Sequence, residues 1–178
     1  MGEQALEISN AQVLGHAAFL QANPMNKLDR YQPYPWQVDF HNAGSEYPER
    51  MLMAANRVGK TVSAAAETTY HLTGEYPAWW EGKRFDGGVL VWAGSVTNEA
   101  SRDIVQKTMF GGMGQELGTG LVPKDKIIGK PQTRQAGISG VMDMVKIEHA
   151  SGGISTVVFK SYDSGWRKWQ GTAPDVVW

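Results

Sequence analysis

Eight residues in the first third of the chain constrain its fold most: Ala54-Ala55-Asn56-Arg57-Val58-Gly59-Lys60-Thr61. They follow an apolar run, Arg50-Met51-Leu52-Met53-Ala54-Ala55, which reads as a buried strand. They lead into a helical pattern from Lys60 to about Leu72, with Val62, Ala66 and Thr69/Tyr70 on one face. Gly74 stands where such a helix stops. Strand, turn with x-x-x-x-G-K-[ST] spacing, and helix are the context in which main-chain amides build an anion site.

The physics of such a loop is specific. A triphosphate carries several negative charges that must be held out of water. Successive N–H groups from Val58 to Thr61 would form a concavity at the positive end of the following helix. Gly59 would let the backbone approach closely. Lys60 would bridge the β- and γ-phosphates, and the Thr61 hydroxyl would reach Mg²⁺. Ala54 stands in place of the pattern's first glycine, which is acceptable where only negative φ is needed. The bland alternative is a strand–turn–helix whose lysine is simply exposed. Arg57 has two readings: a cis-acting arginine finger on the γ-phosphate, or a loop arginine paired with a surface carboxylate. Gln37, beside Trp36, also has two. Its amide could pair with the edge of adenine, or it could be the polar neighbour of a buried tryptophan.

The rest of the chain reads as α/β. Ser9 and Gln12 form a capping box that opens a helix over 9–22, with Ile8 and Val13 at the staple positions; Asn23-Pro24 ends it. Residues 24–48 contain Pro24, Pro33, Pro35 and Pro48, and read as a connector with a short helix from Trp36 to Asn42. Its aromatics, Tyr31, Tyr34, Trp36 and Phe40, imply that it packs on the body. Val89 to Ala93 reads as a strand and Asn98 to Phe110 as a helix with Ile104, Val105 and Met109 inward. Residues 141–149 and 154–160 form a hairpin around Ala150-Ser151-Gly152-Gly153, and Val176 to Trp178 is a last strand. Strands alternating with helices predict a largely parallel central sheet flanked by helices. Tyr76, Trp79, Trp80 and Trp92 read as core.

Composition excludes several chemistries. With no cysteine among 178 residues there is no disulfide, thiol nucleophile or Cys-based zinc site. The four histidines give no H-x-x-x-H spacing. The net charge of −1 excludes a whole-molecule basic field, leaving two local spots, Lys124/Lys126/Lys130/Arg134 and Arg167/Lys168, that could touch phosphates. Apolar runs are too short to span a membrane, and the acidic N-terminus shows no secretory signal, so a cytoplasmic setting is expected.

At this point the residues resemble the N-terminal ATPase domain of phage terminase large subunits. The resemblance rests on Pro-Trp-Gln-Val-Asp-Phe-His (35–41), Met-Ala-Ala-Asn-Arg-Val-Gly-Lys-Thr (53–61), the stretch 70–82, Val-Thr-Asn-Glu (96–99) and the stretch 159–172. It implies an ASCE-type P-loop NTPase fold, with 1–48 as an N-terminal helix and adenine-contact connector and 49–178 as an ATPase core incomplete at its C-terminal end. It implies ATP and Mg²⁺ as ligands, adenine contact at Gln37, and phosphate contact at Asn56, Arg57, Val58, Gly59, Lys60 and Thr61. Double-stranded DNA, a portal protein and a small terminase subunit are the implied partners, with a ring of identical subunits acting in the host cytoplasm beside the procapsid. By the same resemblance, Asp175-Val-Val-Trp178 opens the Walker B strand. Its acidic pair and a nuclease domain would lie further on, so weak or absent hydrolysis is expected of this chain alone. A helicase-like translocase, or a nucleotide-binding fragment without turnover, are the other readings the loop allows.

Overall fold

The computed structural model describes residues 26–112, 114, 116–133 and 139–178. The helix expected over 9–22 lies outside them.

Val91, Trp92 and Ala93 follow one another without a polar interruption, the mark of a strand covered on both faces. They form the middle of β1, Leu90–Ser95, where all three are buried. β1 pairs in parallel on both sides, with β4 (Ile154–Ser161) and with β5 (Val176–Val177). β4 then pairs antiparallel with β3 (Met142–Glu148), and β3 antiparallel with β2 (Ile127–Thr133). The sheet order is β2-β3-β4-β1-β5.

The sheet is therefore mixed, and the expectation of a largely parallel one is corrected. The cause is local. Ala150 to Gly153 joins β3 to β4 directly, and so short a turn permits only antiparallel pairing. β2 had no clear signal, because Gly129 and Pro131 interrupt it. It is an edge strand with register shifts between Ile128 and Thr133, where a missing N–H is tolerated.

The second correction concerns 50–55. This run is no strand: it has no regular secondary structure, with Met51 and Met53 more than four-fifths exposed. A strand needs a hydrogen-bonding neighbour, and among the described residues the sheet ends at β5 without reaching this run.

Two helices frame the loop. α1, Pro35–Asn42, starts with proline at its first position, where the lost N–H costs nothing. Gln37 Oε1 accepts from the Tyr34 N–H at 2.8 Å, the reverse half of a capping box. α2, Lys60–Thr73, ends at Gly74, whose φ of +70° favours glycine. From Ala65 to Thr73 every residue of α2 is buried. Its inward face begins at Ser63, whereas Val62 is 42% exposed.

A third helical rod is composite: α3 (Asn98–Ala100), a π-helical stretch (Ser101–Gln106) and α4 (Lys107–Phe110). The wider π turn shifts the helical phase, so Val105 and Met109 are buried while Ile104 faces solvent, contrary to expectation. Buried Gln106 ties the rod to the start of β3, donating to Met142 O at 2.9 Å and accepting from Met142 N at 3.0 Å. The core lies between α2, this rod and the sheet, and includes Ala66, Leu72, Met109, Phe110, Ile147, Val157 and Phe159. The four expected core aromatics divide. Tyr76, Trp79 and Trp80 cluster with Tyr70, whereas Trp92 packs against Trp169 and under the Lys160 ammonium, 3.7 Å above its ring.

Candidate functional site

The loop enters α2 through two left-handed residues. Gly59, the helix N-cap, has φ +92°, and Arg57 has φ +63°. Arg57 is the one non-glycine with positive φ among the described residues, a conformation that costs an L-residue roughly 1–2 kcal/mol. Alternating hand along a short backbone run turns consecutive N–H groups toward one concavity. The first amide of α2 to find a main-chain carbonyl is that of Ser63, which donates to Gly59 O at 2.9 Å. Among the described residues no close acceptor is found for the amides of Asn56 to Val62, as is usual where a loop leads into the first turn of a helix.

Lys60 lies over this turn. Its Nζ donates to Ala54 O and to Ala55 O, each at 2.6 Å. The ammonium is thereby tied to the entry of the loop and retains a third donor. Thr61 follows on the first turn, half-buried. Asn56 and Arg57 are exposed and Val58 is half-buried. The Arg57 guanidinium forms no ion pair among the described residues, so the paired-surface reading of that residue finds no carboxylate.

Gln37 does come to the loop. It is buried, and its Nε2 donates to Gly59 O at 3.4 Å. With Oε1 on Tyr34 N, the amide bridges the start of α1 to the N-cap of α2. A Cβ at Gly59 would stand 3.0 Å from Gln37 Nε2, so a larger residue would press on that amide as well as strain φ.

Behind the loop lies a polar network that sequence reasoning missed. Glu67 Oε2 accepts from His41 Nδ1 at 2.7 Å, and Glu67 Oε1 pairs with the Arg50 guanidinium. Arg50 also donates to Phe40 O at 2.5 Å and covers the Phe40 ring. The far nitrogen of His41 meets Ser63 Oγ and Tyr31 OH, both at 3.1 Å. His71 stands 3.7 Å from Glu67, outside hydrogen-bond range. Burial alone would raise the Glu67 carboxyl; the contacts from His41, His71 and Arg50 outweigh it and hold the group well below the usual carboxylate range. The sequence carried a signal: Ser63, Glu67 and His71 form an i, i+4, i+8 polar stripe along α2.

Other candidates separate from the loop. Asp175 Oδ2 accepts from the Leu90 N–H at 2.7 Å, and its own N–H donates to Leu90 O at 2.8 Å. It pins the start of β5 to β1. A cavity of about 860 Å³ lies beside α2 between the Gly44–Arg50 segment and β5, and none of residues 54–61 lines it. Of the two basic spots, Lys124 and Lys126 pair with Glu116 and Glu75. Arg167 and Lys168 are exposed, and Arg134 lies outside the described residues. No helix among the described residues is long and apolar enough to cross a membrane.

Comparisons with known proteins place the chain in a family. A family model described as "Terminase large subunit, T4likevirus-type, N-terminal" matches residues 51–178. The chain is 36% identical over 170 residues to the "Terminase, large subunit" of Salmonella phage P22, covering 85% of this chain and 34% of that protein. It thus spans about a third of the length of that curated relative. No solved structure matches. From residue 51 to residue 178 this chain is a member of the phage terminase large subunit family.

Proposed function

We propose that this chain supplies the ATP-binding loop of a viral DNA-packaging motor, on an ASCE-type P-loop core. In this reading the amides of Asn56 to Thr61 take the phosphates. Lys60 bridges the β- and γ-phosphates, and Thr61 gives its hydroxyl to Mg²⁺. Arg57 reaches the γ-phosphate from within the loop. Gln37 braces Gly59; for it to meet adenine, its amide must first leave Tyr34 N. Hydrolysis in the whole protein would drive double-stranded DNA into a capsid, in a ring docked on a portal protein and loaded by a small terminase subunit, in the host cytoplasm.

The observation that carries the reading is the Lys60 ammonium tied to the Ala54 and Ala55 carbonyls at the entry of a loop whose amides find no close acceptor among the described residues. Family membership supports the same direction. The parallel trio β4-β1-β5 and the loop-to-α2 entry support the core assignment. Isothermal titration of the chain with ATP, with and without Mg²⁺, tests it. Saturable binding that Lys60→Ala abolishes is expected. Binding unchanged by that substitution would remove the loop from the site.

A further inference from the structure

Three segments of chain fix the loop. Arg50 precedes it by four residues, α2 follows it, and α1 touches it through Gln37. The contacts of α1 and α2 advance in the same direction. Gln37 meets Gly59; one turn on, His41 meets Ser63 and then Glu67. Gln37 and His41 are i and i+4 on α1, and Gly59, Ser63 and Glu67 are i, i+4 and i+8 from the N-cap of α2 onward. Arg50 closes the arrangement by reaching both Glu67 and the Phe40 carbonyl. Between Arg50 and Gly59 no strand ladder supports the chain. The Glu67 carboxylate contacts side chains from both the α1 side and the entry side of the loop.

We propose that Glu67 is a positioning residue for nucleotide: by binding Arg50 and His41 together it holds the entry of the loop and the Gln37 brace in the arrangement that presents the loop amides. This rests on the reading of the loop as an ATP site. Glu67 lies seven residues beyond Lys60, roughly 10 Å along the helix, so it acts through Arg50 and His41 and touches no phosphate. Convergent donors lose affinity when their geometry loosens. Should the competent loop arrangement fall to about a tenth of the population, the apparent Kd rises about tenfold.

The experiment uses the full 178-residue chain. MgATP affinity is measured by titration calorimetry for the wild type, Glu67→Gln, Arg50→Ala, Arg50→Lys and the double variant Glu67→Gln/Arg50→Ala. Each is held well below its own melting temperature. Amide exchange is followed without nucleotide at Gln37 and Ser63, whose N–H groups are bonded to Tyr34 O and Gly59 O on the two helices that flank the loop. Glu67→Gln and Arg50→Ala are expected each to weaken binding about tenfold and to speed exchange at these two amides while the centre of α2 stays protected. The double variant should be little weaker than either single, because both break the same contact. Arg50→Lys should recover much of the affinity, since Nε of Arg50 has no partner to lose. If Glu67→Gln does not fold, Arg50→Ala carries the test, its side chain being 19% exposed. Folded variants that bind MgATP like the wild type, with unchanged exchange at Gln37 and Ser63, would overturn the proposal. Faster exchange at these amides in the variants, when the wild type itself binds no ATP, would instead overturn the ATP reading and leave the mechanical coupling standing.

Discussion

Lys60 folds its ammonium back onto Ala55, Nζ to carbonyl oxygen at 2.6 Å, and so closes the loop it follows. The contact spans five residues of sequence and ties a positive charge to a loop whose amides find no close acceptor among the described residues. Lys60→Ala removes that charge without opening the core, since these bonds are solvent-exposed. Hydrogen bonds to charged groups contribute about 1.5–3 kcal/mol. ATP affinity should therefore fall at least about tenfold while the melting temperature barely moves. Calorimetry and thermal unfolding on the same sample check both halves.

Arg57 makes a prediction of opposite signs in stability and binding. Its φ of +63° is strained for arginine and free for glycine. Arg57→Gly should leave stability unchanged or slightly raised, the relief of strain offsetting the added freedom of the unfolded chain. If the guanidinium reaches the γ-phosphate, the same substitution weakens ATP more than ADP. Equal loss for both nucleotides would place Arg57 away from the γ-phosphate.

Glu67 sets an acid limit on stability. Its carboxyl lies below its ordinary value of 4.5 in the folded state and returns to it on unfolding. A depressed carboxyl contributes stability that is present above the unfolded value and lost as pH falls through the folded one. Urea midpoints should decline as pH drops below 4.5. Glu67→Gln should be less stable near neutrality and lose less on acidification. Glu67→Ala, which leaves Arg50 and His41 without their anion, should cost about 3–5 kcal/mol. A wild type and a Glu67→Gln variant with parallel pH profiles would contradict the assignment.

Local chemistry made much of this fold legible. The α2 helix, its stop at Gly74, the hairpin at Ala150 to Gly153 and the strand around Trp92 each follow from a pattern within a dozen residues. What failed required knowledge of a neighbour. Arg50 to Ala55 has the composition of a strand but no ladder beside it. β2 looked broken by Gly129 and Pro131 until its edge position made them tolerable. Ile104 followed a 3.6 period that the π turn does not keep. At the site, the loop was visible because its spacing is contiguous. The Glu67 network was not, because it joins residues 17 and 26 positions apart.

Asp175 separates a structural carboxylate from a metal-binding one. It stands at the start of β5 with Oδ2 on the Leu90 amide, which makes it a register pin. Asparagine retains an acceptor for that amide and alanine does not. Asp175→Ala should therefore speed hydrogen exchange at Leu90 and along β5, while Asp175→Asn leaves exchange near the wild-type rate. Neither should change the Mg²⁺ dependence of ATP binding, because the side chain serves β1 and stands apart from the loop. A large drop in Mg²⁺-dependent affinity for Asp175→Asn, with normal exchange at Leu90, would instead make this carboxylate part of the metal site.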